Sequence, residues 1–157
     1  MQLIRKWAWV GAVLFGFVLA GAGLVMVQQG RAAHDEVRDT LSSERIVTPE
    51  DAGLPQAPVT GPEEAKAQAD IIREHTLTLT GGKTYAELAR DDPNRTTYLQ
   101  SVTLRTALME SYLAFKVSDL VVGLGVVITL LGLSQVVLGI YLGLVLAPVR
   151  LTGDKAT

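Results

Sequence analysis

Two stretches of this chain carry no charged residue: Trp7–Gly30, 24 residues, and Leu120–Val149, 30 residues. A helix needs about 20 apolar residues to cross roughly 30 Å of hydrocarbon, whereas an apolar run of only about 10–14 is more often a buried helix of a soluble protein. Both stretches exceed that range. The pattern predicts an all-α membrane protein, a two-helix transmembrane hairpin with an external helical segment and a proline-rich connector. The expected divisions are a cytoplasmic tail at 1–6, a first span at 7–30 and an external segment at 31–118. A second span at 119–149 and a cytoplasmic tail at 150–157 complete the chain. The basic start Met1–Lys6 and the small residues Ala20-Gly21-Ala22 outline a signal peptide. The apolar run is longer than the usual core of about 7–15 residues, which favours a retained span.

Between the spans, polar and apolar positions follow helical periods broken by punctuation. The first helix is expected to continue past the membrane surface through Gly30–Val37. Residues 46–62 hold four of the six prolines, Pro49, Pro55, Pro58 and Pro62. Proline removes a donor and pushes its predecessor out of the α region, so an extended connector is predicted, either a free linker or a strap over a neighbouring protein. Thr60-Gly61-Pro62-Glu63 reads as a capping box opening a helix Glu63–Leu79. Its apolar face would be Ala65, Ala69, Ile72, Thr76 and Leu79, and Gly81-Gly82 would stop it. Thr84 and Glu87 suggest a second capping box around a short helix Tyr85–Arg90. Asp92-Pro93 would then start one uninterrupted helix reaching Leu146, because no glycine or further proline occurs before Gly123.

That long helix has two apolar faces in its external half. Leu99, Val102, Thr106, Met109 and Leu113 mark one, which the Glu63–Leu79 helix is expected to cover. Leu104, Leu108, Tyr112 and Phe115 mark the other and are the candidate contacts for a partner. Inside the membrane the informative residues are small. Ala8, Ala12, Gly16 and Ala20 recur every four residues on the first span. Gly125, Thr129, Gly132, Val136, Gly139 and Gly143 recur at 4-3-4-3-4 on the second. Small residues let helix backbones approach closely where lipid supplies no hydrophobic drive. Ala12, Gly16, Ala20, Gly125, Gly132, Gly139 and Gly143 are therefore expected at helix–helix contacts, one stripe within the hairpin and the other against a partner chain.

Charge refines the topology. Arg5 and Lys6 precede the first span, and Arg150 and Lys155 follow the second. Basic flanks stay inside, so both termini are expected in the cytoplasm and the chain multi-pass in the cell membrane. Residues 28–118 carry ten Lys/Arg against fourteen Asp/Glu, a net of −4 that suits the outside. Cysteine is absent, which excludes disulfides, thiolate catalysis and cysteine metal sites.

The stretch Gln68–Gly132 resembles a family of small two-span membrane proteins of actinobacteria. The likeness is carried by Ala69-Asp70-Ile71-Ile72, His75, the run Thr80–Leu88, Arg90-Asp91-Asp92-Pro93 with Arg95, Leu104-Arg105 and the glycine-bearing second span. The resemblance implies two spans, an external helical segment and no established activity. The ring-opening dioxygenase label that some members carry fails on this chain's residues. Such an iron site needs two histidines and a carboxylate on one open face, and the only histidines, His34 and His75, lie 41 residues apart across the connector. His75 reads instead as a surface residue hydrogen-bonded to a neighbour.

Gly82-Lys83-Thr84 imitates the end of a phosphate loop, but that pattern needs glycine where Leu77 stands. Lys116 and Asp119 could pair at i, i+3, or Lys116 could snorkel. Neither span has an ionisable residue at depth for proton transfer. The sequence thus points to a non-catalytic accessory or assembly subunit of a larger membrane complex, binding other integral membrane subunits and lipid. A respiratory-chain assembly is the first partner class by association, and no cofactor, metal or nucleic acid is expected. The alternative is a stand-alone or homo-oligomeric cell-envelope protein of structural role.

Overall fold

The structure, a computed structural model, describes residues 2–146, with side chains from Trp7 to Val145. Three helices make it up: α1 (Gln2–Ser43), α2 (Pro62–Leu79) and α3 (Arg95–Leu146). Among the described residues the only extended pairing is an isolated bridge between Val47 and Pro58. The chain divides into two compact units, Met1–Arg31 with Leu120–Thr157, and Ala32–Asp119. The end of the expected second span, 147–149, and the tail 150–157 lie outside the described residues.

In the first unit, α1 and α3 are each long and apolar enough to cross a membrane. Each contains an 18-residue window of mean hydropathy 2.4, and only 17% of each window is buried within the chain. Core helices of soluble proteins are mostly buried, whereas here Leu14, Phe17, Val18, Leu131, Val137 and Leu144 all face outward.

The second unit is a helical cluster built from the end of α1, α2 and the first part of α3. Its core contains Leu41, Val59, Ala65, Ala69, Leu108 and Phe115, with Val37, Ile46, Ile72 and Met109 packed against it. Ala65 and Ala69 are fully buried one turn apart on α2, and their small side chains leave room for Phe115, also fully buried. Of the apolar face expected on α2, Leu79 is instead 52% exposed, while Ile71 is buried.

The helix ends follow local chemistry. At α2 the N-cap is Gly61, in extended conformation with no side-chain cap, and Pro62 takes the first turn with Glu63 and Glu64. Thr60 therefore forms no capping box, because glycine occupies the cap and proline fixes the entry. The C-terminus is a Schellman motif. Gly82 N–H donates to Leu77 O at 2.7 Å and Gly81 N–H to Thr78 O at 3.2 Å, while Gly81 sits at φ +62°.

The short helix expected at Tyr85–Arg90 is absent, and turns replace it. Thr84 N–H and Oγ1 both donate to Glu87 Oε2, at 2.7 and 2.8 Å. The glutamate half of a capping box is made, but the threonine hydroxyl turns to the carboxylate, leaving a single capped turn. Arg95 closes this turn, donating to Leu88 O at 3.0 Å with its guanidinium 4.1 Å from the Tyr85 ring centre. α3 starts at Arg95, two residues later than Pro93 suggested. Asp92 Oδ1 accepts Asn94 N–H at 2.8 Å, and Tyr98 N–H donates to Asn94 O at 2.9 Å, which makes Asn94 the cap. From there α3 is one helix through Ser118, as its composition predicts.

The connector is a closed loop rather than an extended strap. Thr48 N–H donates to Ala57 O at 3.0 Å, Gln56 N–H to Thr48 O at 3.1 Å, and Val59 N–H to Ile46 O at 2.9 Å. Thr48, nearly fully buried, accepts Ala57 N–H at its hydroxyl at 2.9 Å and donates to Leu54 O. The prolines shape the loop while one threonine satisfies the backbone groups it encloses.

Candidate interaction surface

The small-residue stripes meet each other within the first unit. A Cβ built on Gly16 would lie 2.7 Å from Gly132 O, and one on Gly125 would lie 2.7 Å from Gly23 O. On Gly132 it would strike Ala20 N and lie 2.7 Å from Gly16 O. On Gly139 it would lie 3.0 Å from Val13 N, and on Gly143 3.0 Å from the Trp9 ring. The α1 side of this antiparallel seam is Trp9, Val13, Gly16, Ala20, Gly23 and Val27, a 4-3-4-3-4 series matching that of α3. Ala20, Gly125, Gly132 and Gly139 are buried there with Gly16, while Ala12 and Gly143 are half-buried.

Two expectations change. The true α1 seam includes Gly23, which strict four-residue spacing misses, because successive fours drift about 40° around a helix of 3.6 residues per turn. The α3 stripe is not left over for another chain, because Gly16, Ala20 and Gly23 of α1 meet it, while Ala8 is exposed and Ala12 only half-buried.

The faces of α3 are also exchanged relative to expectation. Leu108 is 5% exposed and Phe115 0%, both in the core under α2, while Leu104 is 59% exposed and Tyr112 half-buried. The four proposed partner contacts therefore do not form one free surface. The outward face is the other one: Leu99 is 52% exposed, Val102 37%, Leu113 61% and Val117 49%. Exposed Thr106 continues the row, with half-buried Met109 at its edge against the core. The two alanines of α2 were the available signal, since a helix face that small packs against the bulkiest residues opposite it.

Polar side chains tie the second unit together. His75 Nε2 donates to Asp51 Oδ2 at 2.7 Å, joining α2 to the loop, and this bond holds the Asp51 carboxyl below its ordinary range. Lys116 donates to Glu63 Oε1 at 3.0 Å, the main cause of its ammonium being held above the usual lysine value. This replaces the suggested Lys116–Asp119 pairing, and Asp119 instead lies 3.9 Å from His34. The His34 ring meets Phe115 edge-on at 4.8 Å. Backbone and hydroxyl hydrogen bonds from Thr84 hold the Glu87 carboxyl low.

The two histidines thus take different carboxylates, His34 that of Asp119 on α3 and His75 that of Asp51 in the loop. Among the described residues no group of three or more His, Asp and Glu side chains could hold a metal. The glycine–lysine–threonine run is a helix stop followed by a capped turn, with a helix, not a strand, before it. Comparison of the chain with protein-family models, curated proteins and solved structures finds no match.

Proposed function

We propose that this chain is a non-catalytic accessory or assembly subunit of a larger membrane complex. It would cross the cell membrane twice with both termini in the cytoplasm and residues 31–118 outside. The observation that carries the reading is the outward face of α3, where Leu99, Val102, Leu113 and Val117 stand exposed on a well-packed helical unit. Contiguous exposed apolar rows of this kind mark protein contacts. Membership of the actinobacterial two-span family, other integral membrane subunits as partners and a respiratory-chain assembly as host belong to the same proposal. Lipid would cover the outward apolar residues of the spans. Purification in mild detergent followed by mass measurement of the intact assembly tests it. Co-purifying membrane subunits, lost on Leu99→Ser with Leu113→Ser, are expected; a bare monomer would contradict it.

A second reading, a stand-alone envelope protein, is favoured by one observation. The α3 stripe meets Gly16, Ala20 and Gly23 of α1 within the chain's own seam, so those glycines need no further helix to satisfy them.

A further inference from the structure

We infer that the outward face of α3 binds a second copy of this chain, in parallel register, with Met109 as the central knob. The inference rests on the two-span reading and assigns the face that carries the subunit reading to a second copy in place of a different subunit, the two being told apart by what Thr106→Cys captures. Leu99, Val102, Thr106, Met109 and Leu113 are spaced 3-4-3-4, the a and d positions of a heptad. A parallel two-stranded coil then places Arg105 at g and Glu110 at e, five residues on. That is the spacing at which g of one helix meets e of the other with opposite charge. Neither side chain has an ion-pair partner among the described residues, so both remain available for the pairing.

The surface has the matching shape. Arg105, Thr106, Met109, Glu110, Tyr112 and Leu113 line one open groove. Thr106, Met109, Glu110 and Leu113 stand at i, i+3, i+4 and i+7, the four corners of the hole that receives a d-position knob. In a twofold pairing that knob is the outward part of Met109 of the second copy, a half-buried, adaptable side chain that packs against its own core on one side and suits an irregular hole on the other. Copies inserted in one membrane share one orientation, so a twofold axis along the membrane normal brings α3 against α3 in parallel. The opposite side of the helix offers no such set, because Leu108 and Phe115 are buried there beside the exposed Leu104.

The absence of cysteine makes the test direct. Thr106→Cys and Leu113→Cys, each made singly in the full-length chain and oxidised in native membranes, should give a covalent dimer of this chain. Leu104→Cys, on the opposite side, should not. Arg105→Glu or Glu110→Arg alone should lower the Thr106→Cys dimer about fivefold, two symmetry-related exposed pairs being lost, and the double exchange should restore it. Cross-linking through Leu104→Cys but not Thr106→Cys, or charge variants without effect, would overturn the inference. Thr106→Cys joining a different protein would also overturn it while leaving the subunit reading intact. A dimer that purifies with no other protein would support the inference and count against that reading.

Discussion

Gly132→Leu tests the seam where a backbone atom of the facing helix would lie nearest to an added carbon. A Cβ at residue 132 meets the Ala20 nitrogen and lies 2.7 Å from the Gly16 carbonyl oxygen. Both obstacles are backbone, so no side-chain rotation makes room. Comfortable carbon contacts lie at about 3.5–4.0 Å, so even alanine demands a separation of roughly 1 Å, and a radial gap of that size forfeits up to about half of each neighbouring dispersion contact. Gly132→Ala should therefore cost about 1–2 kcal/mol and Gly132→Leu about 3 kcal/mol or more, by analogy with overpacked cores. The controls are Gly11→Leu and Gly123→Leu, since a Cβ at either position meets nothing within 4 Å. Reversible unfolding in detergent, followed by circular dichroism, should rank Gly132→Leu below Gly132→Ala and both below the controls. Equal stability of Gly132→Leu and Gly11→Leu would refute the seam.

Three further outcomes are expected in the second unit. Thr48→Val keeps the shape but removes the hydroxyl that accepts Ala57 N–H; a loss of about 1–3 kcal/mol, read as faster proteolysis within residues 49–57, is expected, and unchanged cleavage would speak against a threonine-pinned loop. Gly81→Ala forces a side chain onto φ +62°, costing about 1 kcal/mol and speeding amide exchange at the end of α2, whereas no change there would contradict the Schellman stop. Asp51 should titrate below its ordinary value of 3.8 because His75 donates to it. Its depressed pKa means the loop-to-α2 tether is fully present above the ordinary value and is lost as pH falls through the lowered one. His75→Ala should return the Asp51 carboxyl, followed by NMR, to the ordinary range, and an unmoved titration would refute the tether.

The length and type of the elements were legible because charge-free runs and helix punctuation act locally. Gly81-Gly82, Pro62 and the unbroken stretch through Ser118 all behave as their chemistry dictates. The failures come where a tertiary choice decides between local alternatives. Thr60 and Gly61 compete for one cap, and proline's entry geometry gives it to glycine. Thr84 and Glu87 can open a helix or close a turn, and Arg95 binding Leu88 O favours the turn. The seam depended on distinguishing a drifting four-residue repeat from an alternating 4-3 repeat, which Gly23 and Val13 settle only once paired with Gly125 and Gly139. The exchanged faces of α3 have the same origin, since either row could be buried until the small face of α2 selects Phe115.

The two-span arrangement with an external helical unit is the claim on which the rest depends. Single cysteines placed at Gly53 and at Thr157 of the cysteine-free chain can be challenged with a membrane-impermeant thiol reagent on intact cells. Gly53→Cys should be labelled from outside, and Thr157→Cys only after the membrane is opened. Labelling of Thr157→Cys alone in intact cells would invert the orientation, and labelling of both without opening would contradict cytoplasmic termini.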